Sequence, residues 1–274
     1  MPAQIEDCSL FLFVPADRPE RIPKALAAGA DAIIIDLEDA VAPHNKPSAR
    51  SGLADALAGL EAIVPIFMRI NAIGTAWHAE DMAVVSALET AGVVLPKAES
   101  AADICSVRAG LGAQMLVIAI VETAKGLAAA DEIAAHADRI AFGSVDFAAD
   151  LGCAHVRDAL LLARSRLVLA ARLADRPAPI DGVTLSIRDE SEIEDDARYS
   201  VALGLRGKLL IHPNQIAPAR RGIAPTAQEV DWALRIVDGV ADGAARAVDG
   251  AMVDAPVLAR AQQILRSRDR LLNR

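Results

Sequence analysis

The sequence predicts a (β/α)8 TIM barrel followed by a C-terminal helical extension. Eight short apolar runs alternate with longer stretches of helical pattern over most of the 274 residues. The apolar runs are continuous and do not alternate with polar residues, which is typical of strands covered on both faces in a parallel sheet. A closed barrel of eight parallel strands surrounded by helices is the simplest architecture that accommodates this pattern.

Each predicted strand is a short run rich in Val, Ile, Leu or Phe. In chain order the runs are SLFLFV (9–14), AIIID (32–36), PIFMRI (65–70), GVVLP (92–96), MLVIAIV (115–121), RIAFG (139–143), IDGVTL (180–185) and KLLIH (208–212).

Helical patterns fill the segments between these strands. They include residues 18–29, 46–60, 79–92, 101–112 and 123–137. Gly29 and Gly204 follow helical sequence directly and are predicted helix stops, because glycine adopts the left-handed backbone that ends many helices. The predicted helices therefore end shortly before predicted strands begin.

We expect two regions, a catalytic barrel over residues 1–224 and an extension over residues 225–274. Two further helices are predicted at 223–237 and 254–272, around an acidic turn, AVDGAMVDAP (247–256). We expect this extension to pack on the barrel or on a neighbouring subunit.

The composition indicates a soluble protein with an aliphatic core. Hydrophobic residues make up 53% of the chain and aromatic residues 3%, and no run reaches the roughly 20 uncharged apolar residues of a membrane span. Glu6 and Asp7 precede the first apolar run where a secretory signal would carry basic residues, so we expect a cytoplasmic location. Cys8, Cys105 and Cys153 lie far apart and are predicted to be reduced packing residues.

The net charge of −9 argues against nucleic acid as a partner, since nucleic-acid binding relies on clustered Lys and Arg. A small basic pocket for a phosphate-bearing cofactor remains compatible with this charge.

Polar side chains crowd the ends of consecutive predicted strands, where the active sites of such barrels are built. They are Asp36, Glu38, Asp39, Arg69, Asn71, Lys97, Glu122, Asp146 and His212. Glu122 and Asp146 follow neighbouring strands, and two carboxylates at one face could hold a divalent metal. The alternative is structural: Glu122 would be favoured by a helix dipole, and Asp146 would be an N-cap.

Nine sequence words in order resemble one known family. They are FVPADRPER, DLEDAV, RINAIGTAWHAED, VVLPKAES, IVETAKG, FGSVDFAADLG, ARSRLVLAAR, GKLLIHPNQI and DGAMVDAP. Together they are similar to the citrate lyase beta-subunit-like branch of the HpcH/HpaI aldolase superfamily, which includes malyl-CoA and citramalyl-CoA lyases. The resemblance implies a Mg²⁺-dependent barrel enzyme that cleaves or forms a carbon–carbon bond in 3-hydroxyacyl thioesters.

The resemblance also implies roles for particular residues. Glu122 and Asp146 match the metal-binding carboxylates, with Glu122 also near the substrate, and Arg69 matches an arginine that grips the carboxylate of a 2-keto acid. Glu38 matches a catalytic residue that supports Arg69 and the metal's waters, while Asp36 is expected to be structural. A rim salt bridge from Arg69 to Asp36 or Glu38 is the alternative, and both can hold together.

The thioester end is assigned to other positions by the same resemblance. Arg18, Lys97 and His212 match positions near the coenzyme A or acyl-carrier arm, although a Schiff base at Lys97 is an alternative. Asp254 precedes a helix and is either an N-cap or, in an oligomer such as a trimer or hexamer, a base in a neighbouring subunit's site.

The implied function is that of a lyase that releases a 2-keto acid and an acyl thioester through a metal-stabilised enolate. Two alternatives remain open. One is a malate-synthase-like or acyl-CoA thioesterase activity that uses Asp254. The other is a carrier-dependent or non-catalytic beta subunit of a larger lyase complex.

Overall fold

The computed structural model describes residues 5–60, 62–239, 246–248 and 251–272. They form two compact units, one on each side of the bond between Arg220 and Arg221. In the first unit, eight strands close into a barrel in sequence order, and every neighbouring pair is parallel. Helices flank the strands, and the predicted (β/α)8 barrel is confirmed.

The barrel strands agree closely with the predicted runs, with one exception. They are β1 (Leu10–Pro15), β2 (Ala32–Asp36), β3 (Ile66–Arg69), β4 (Gly92–Leu95), β5 (Leu116–Val121), β6 (Arg139–Phe142), β7 (Ile180–Asp181) and β8 (Gly207–Leu210).

The exception is β7, which the sequence predicted over residues 180–185. The strand ends at Asp181, and the next residue, Gly182, lies directly against Ser144: a Cβ added at Gly182 would meet the Ser144 hydroxyl at 2.3 Å. After Gly182 the chain leaves the sheet and passes along the mouth of the barrel. Val183 and Leu185 therefore line a cavity there and take no part in the strand ladder.

The helices of the chain are α1 (Ile22–Leu26), α2 (Lys46–Ser51), α3 (Leu53–Leu57), α4 (His78–Val85), α5 (Ala101–Ala109), α6 (Ala124–Ala128), α7 (Ala130–His136), α8 (Ser144–Leu151), α9 (Arg157–Leu173), α10 (Glu190–Leu203), α11 (Ile216–Ile223), α12 (Ala227–Gly239) and α13 (Ala255–Leu272). Gly204 ends α10 at φ +105°, and Gly29 has φ +90°, so both predicted helix stops have left-handed backbones. The predicted helix at 46–60 is divided at Gly52 into α2 and α3.

The barrel interior is aliphatic, as the composition predicted. It contains Phe11, Ile34, Phe67 and Ile118 among a cluster of side chains from nearly every strand. Burial of this aliphatic surface is the main contribution to the stability of the unit.

A buried ion cluster ties the barrel to its outer helices behind β7 and β8. Lys208 donates hydrogen bonds to Asp181 at 2.9 Å and to Asp196 of α10 at 2.6 Å. Arg164 of α9 donates to the other oxygen of Asp181 at 2.8 Å. Lys208 and Asp181 are fully buried, so each depends on its partners to offset the loss of water.

The second unit contains α12 and α13, which pack through Ala233, Ile236 and Ala261. Between them, β9 (Arg246–Val248) and β10 (Ala251–Val253) pair antiparallel. The predicted acidic turn at 247–256 was therefore wrong in part, because short apolar stretches flank an Asp249-Gly250 dipeptide, a pattern typical of a β-hairpin. Asp249 and Gly250 themselves lie outside the described residues.

The cysteines differ in environment. Cys8 is buried, Cys153 is half-buried and Cys105 is exposed, so the prediction of packing residues was wrong for Cys105, which lies on the outer surface of α5. In the described part of the chain, no helix is long and apolar enough to cross a membrane.

Candidate active site

A cavity of about 410 Å³ lies at the carboxyl ends of the barrel strands. The charged groups that line it are Asp36, Asp39, Arg69, Glu122 and Asp146. They lie at or after the ends of β2, β3, β5 and β6. Strand closure thus brings to one cavity five of the nine polar side chains that the sequence placed at separate strand exits. The four that are not among its lining residues are Glu38, Asn71, Lys97 and His212.

Arg69 is fixed in the cavity by carboxylates of the β2 exit. Asp36 and Arg69 are register partners at the ends of β2 and β3, and the guanidinium donates two parallel hydrogen bonds to Asp36, at 2.7 and 2.6 Å. It also lies 3.1 Å from Glu38 and 3.3 Å from Asp39, and stacks over Phe13 at 4.7 Å. Burial alone lowers the pKa of Arg69, but Asp36, Glu38 and Asp39 together raise it above its ordinary value. The rim salt bridge left open above is present.

Lys97 joins three carboxylates, two of which line the cavity. Its ammonium donates to Glu38 Oε1 at 2.8 Å and lies 3.5 Å from Asp146 Oδ2 and 3.9 Å from Glu122 Oε1. Its backbone N–H donates to Glu122 at 2.8 Å. Lys97 has φ +49°, a left-handed conformation that non-glycine residues rarely adopt, and these contacts hold it there.

Glu122 is buried directly against Gly143. A Cβ at Gly143 would meet Glu122 Oε2 at 2.1 Å, so only glycine leaves space for this carboxylate. The pKa of Glu122 is raised to about 8, chiefly by burial and next by the negative charge of nearby Glu38. Asp146 is half-exposed in the first turn of α8, where the helix dipole favours an anion. Gly143, and not Asp146, is the N-cap residue of that helix.

Glu38 has one oxygen without a hydrogen bond. Oε1 accepts from Lys97, whereas Oε2 is buried and accepts no hydrogen bond, although Arg69 lies within ion-pair distance. Burial raises the pKa of Glu38 above its ordinary value, while Arg69 and Lys97 act in the opposite direction. Oε2 of Glu38 is therefore a buried oxygen next to Arg69 whose capacity to accept a hydrogen bond is unused.

The sequence matches a family model, HpcH/HpaI aldolase/citrate lyase, over residues 9–213. This span covers the whole barrel and every charged residue of the cavity. The chain belongs to the HpcH/HpaI aldolase/citrate lyase family.

Relatives of this HpcH/HpaI family chain cover almost its whole length. It is 40% identical over 266 residues to a citrate lyase subunit beta-like protein of Mycobacterium tuberculosis, with 93% of this chain and 94% of the relative covered. It is 31% identical to the L-malyl-CoA/beta-methylmalyl-CoA lyase of Cereibacter sphaeroides, with 97% and 95% covered. The predicted resemblance is confirmed, and this HpcH/HpaI protein is a lyase.

A solved structure of this family is also similar. The Mycobacterium tuberculosis protein CitE, in complex with magnesium, acetoacetate and coenzyme A, superimposes with a TM-score of 0.86 at 38% identity, covering 97% of this chain and all of that one.

The remaining predicted site residues of this HpcH/HpaI lyase are Arg18, His212 and Asp254. Arg18 is exposed after β1. His212 caps the turn after β8, where its Nδ1 accepts from the N–H of Asn214 at 3.1 Å. In the second unit, exposed Asp254 accepts from the N–H of Val257 at 3.2 Å, which is N-cap geometry. Their predicted roles toward coenzyme A or as a base stay predictions.

Two features of the HpcH/HpaI site escaped the sequence reasoning. Gly143 makes room for Glu122, and its position between a strand and a helix could have indicated a close approach. Ser144, which lines the cavity, shares a hydrogen bond of 2.9 Å with His155. The sequence separation of these two residues carries no signal for that contact.

We predict that protonation of Glu122 makes the stability of the chelator-treated protein depend on pH. The unfolded carboxyl loses its proton near pH 4.5 and the folded one near 8, so the free energy of unfolding should fall as pH rises between these values. The slope from this group is at most about 1.4 kcal/mol per pH unit. Urea unfolding from pH 5 to pH 9 measures it, and Glu122→Gln should flatten the curve. Equal slopes for both proteins would contradict this assignment.

Proposed function

We propose that this protein is a Mg²⁺-dependent lyase that cleaves a 3-hydroxyacyl-CoA thioester into a 2-keto acid and an acyl thioester. One observation carries the proposal: Glu122 and Asp146, from neighbouring strand exits, line one cavity together with Arg69, and both carboxylates lie within 4 Å of the Lys97 ammonium. A metal site and a carboxylate clamp therefore share one cavity. The names of the CoA lyase relative and of the CitE complex support this substrate class.

The residues present fit Mg²⁺. Within the described residues there is no group of three or more His, Cys, Asp or Glu side chains arranged to hold a metal. Mg²⁺ does not require one, because it is commonly bound by one or two carboxylates together with waters and substrate oxygens. Gly143 preserves the space beside Glu122, and both carboxylates already face a cation, the Lys97 ammonium. Mg²⁺ bound by Glu122 and Asp146 would act as a Lewis acid toward charge developing on the substrate oxygens.

We assign Arg69 to the carboxylate of the keto-acid portion. Asp36 holds its Nε and Nη2, and Nη1 lies 3.1 Å from Glu38 and 3.3 Å from exposed Asp39, so the substrate carboxylate would take the place of Asp39 at Nη1. Asp36 and the ring of Phe13 fix the plane of the guanidinium before substrate binds. Arg69 thereby orients the bond that breaks.

We assign to Glu38 the role of taking the proton of the substrate hydroxyl, because its Oε2 accepts no hydrogen bond. Cleavage forms the keto C=O as the hydroxyl proton moves to Oε2 of Glu38, and the electron pair of the broken carbon–carbon bond goes to the thioester fragment. That fragment then takes up one proton, which balances the reaction. The Lys97 ammonium, bonded to Oε1, fixes the carboxylate in position.

The thioester end and the assembly form a further part of the proposal. Arg18 and His212 follow β1 and β8 on the same face of the barrel, and we assign both to the coenzyme A arm. We assign the segment that contains Lys97 to the same arm. Asp254 is assigned to a neighbouring subunit's site in a trimer or hexamer. Light scattering of the purified chain measures the oligomeric state.

The proposed function predicts loss of both metal binding and cleavage when the carboxylates are neutralised. Glu122→Gln and Asp146→Asn should each weaken Mg²⁺ or Mn²⁺ binding at least about tenfold, since each removes a charged ligand. Cleavage of 3-hydroxyacyl-CoA thioesters should fall by at least about 100-fold. Calorimetry of metal binding and mass spectrometry of products measure the two effects.

Glu132→Gln is the matched control, because it neutralises an exposed acid of α7 outside the cavity. It should leave both metal affinity and cleavage unchanged. Full cleavage activity in both carboxylate variants would contradict the proposed metal site at Glu122 and Asp146.

A further inference from the structure

One sector of the cavity carries no charged group. In the closed barrel β7 and β8 are neighbours, and the residues that these strands and the segment after β7 contribute to the cavity are Val183, Leu185, Leu209 and Ile211. We call these four residues the apolar wall. Val183 and Leu209 pack on the barrel core, so the wall is a continuation of that core to the cavity mouth.

The cation of the cavity lies on the other side, because Arg69 ends β3, which is four strands away from β7 in the eight-stranded barrel. The charged group nearest to the wall in strand order is an acid, since Asp146 comes directly after β6, the neighbour of β7. The Lys97 ammonium is already held by Glu38 and Asp146, and Arg69 by Asp36. Among the residues that line the cavity, Arg69 is the only cation.

The wall is exposed where it meets the cavity mouth. Leu185 is 57% exposed and Ile211 is 43% exposed. Large aliphatic side chains exposed together in a cavity favour an apolar ligand group, because covering them removes apolar surface from water. A carboxylate placed there would lose its water without gaining a cationic partner, and four carboxyl groups already line the cavity.

We propose that the apolar wall selects keto acids that bear an alkyl group over those that bear a second carboxylate, with Leu185 and Ile211 as specificity-determining residues. The inference rests on the proposed function, since it takes Arg69 as the clamp for the first carboxylate. It assigns the protein to hydroxyacyl thioesters whose carbinol carbon carries a methyl or longer alkyl substituent.

Two keto acids of nearly equal size test the inference. In 2-ketobutyrate the fourth carbon is a methyl group, and in oxaloacetate it is a carboxylate. Calorimetry with freshly prepared ligands and Mg²⁺ should show 2-ketobutyrate bound at least tenfold more tightly. Equal or tighter binding of oxaloacetate would overturn the inference and leave the proposed function intact. Binding of neither keto acid would overturn the proposed function together with the inference.

A charge placed in the wall should reverse the preference. Leu185→Lys introduces a cation where the wall is most exposed, so the affinity ratio of 2-ketobutyrate to oxaloacetate should fall at least tenfold. Leu162→Lys is the matched control, since it makes the same change at a leucine of α9 that is 76% exposed and lies outside the cavity. It should keep the wild-type ratio, and thermal melts confirm that both variants fold. An unchanged ratio in Leu185→Lys would refute the role of the wall.

Discussion

Arg69→Lys is expected to lower kcat/KM for thioester cleavage by about 100-fold or more. The structure gives Arg69 two parallel hydrogen bonds to Asp36 and a stacking contact with Phe13, which hold its plane toward the cavity. A lysine ammonium keeps the charge but cannot form this fork, so the substrate carboxylate would be held loosely. Small misplacements of a reacting group cost rates of this order.

Binding and control measurements separate this effect from misfolding. Affinity for a 2-keto acid in the presence of Mg²⁺ should fall with the rate, whereas affinity for Mg²⁺ alone should change little, because Glu122 and Asp146 remain. Arg166→Lys, at a partly exposed arginine paired with Asp131 outside the cavity, should behave as wild type. A wild-type rate in Arg69→Lys would remove the clamp from the proposed mechanism.

Lys208→Met is expected to lower the free energy of unfolding by about 3–5 kcal/mol, because it leaves buried Asp181 and partly exposed Asp196 without their shared cation. Asp181 keeps its hydrogen bond from Arg164, but that partner alone must then offset the burial of the carboxylate. The methionine side chain fills similar volume, so the loss reflects charge more than a cavity. Urea denaturation of the whole chain measures the change.

Lys125→Met provides the comparison. Lys125 is 73% exposed and pairs with Glu99 at the surface, where an ion pair contributes little in water. Its loss should cost no more than about 1 kcal/mol. Similar losses in Lys125→Met and Lys208→Met would contradict the stabilising role of the buried ion cluster.

Strand positions were predictable because they depend on local sequence. AIIID predicted β2 to the residue, and MLVIAIV predicted β5 with one residue in excess. Continuous aliphatic runs need burial on both faces, and a parallel barrel supplies it. Local sequence did not predict the end of β7 in IDGVTL: the strand ends at Asp181, and Gly182 then packs against Ser144, a residue 38 positions earlier in the chain.

The predicted site residues also fall into two groups, according to whether strand position or only family resemblance predicted them. Arg69, Glu122 and Asp146 were placed together because parallel strands end at one face of a barrel. Arg18, His212 and Asp254 were placed by family resemblance alone, and the structure shows His212 and Asp254 as capping residues, leaving their roles toward coenzyme A or as a base open to experiment.

The sequence by itself determined the barrel, its family and the acidic and basic residues at the strand ends, because burial pattern and residue type are encoded position by position. Only the tertiary structure decided which of these groups meet: Lys97 with Glu38 and Asp146, and Gly143 under Glu122. It also gathered the apolar wall on the side of the barrel opposite Arg69. The physical reason is that contacts across a barrel depend on closure and strand register, which join residues far apart in sequence.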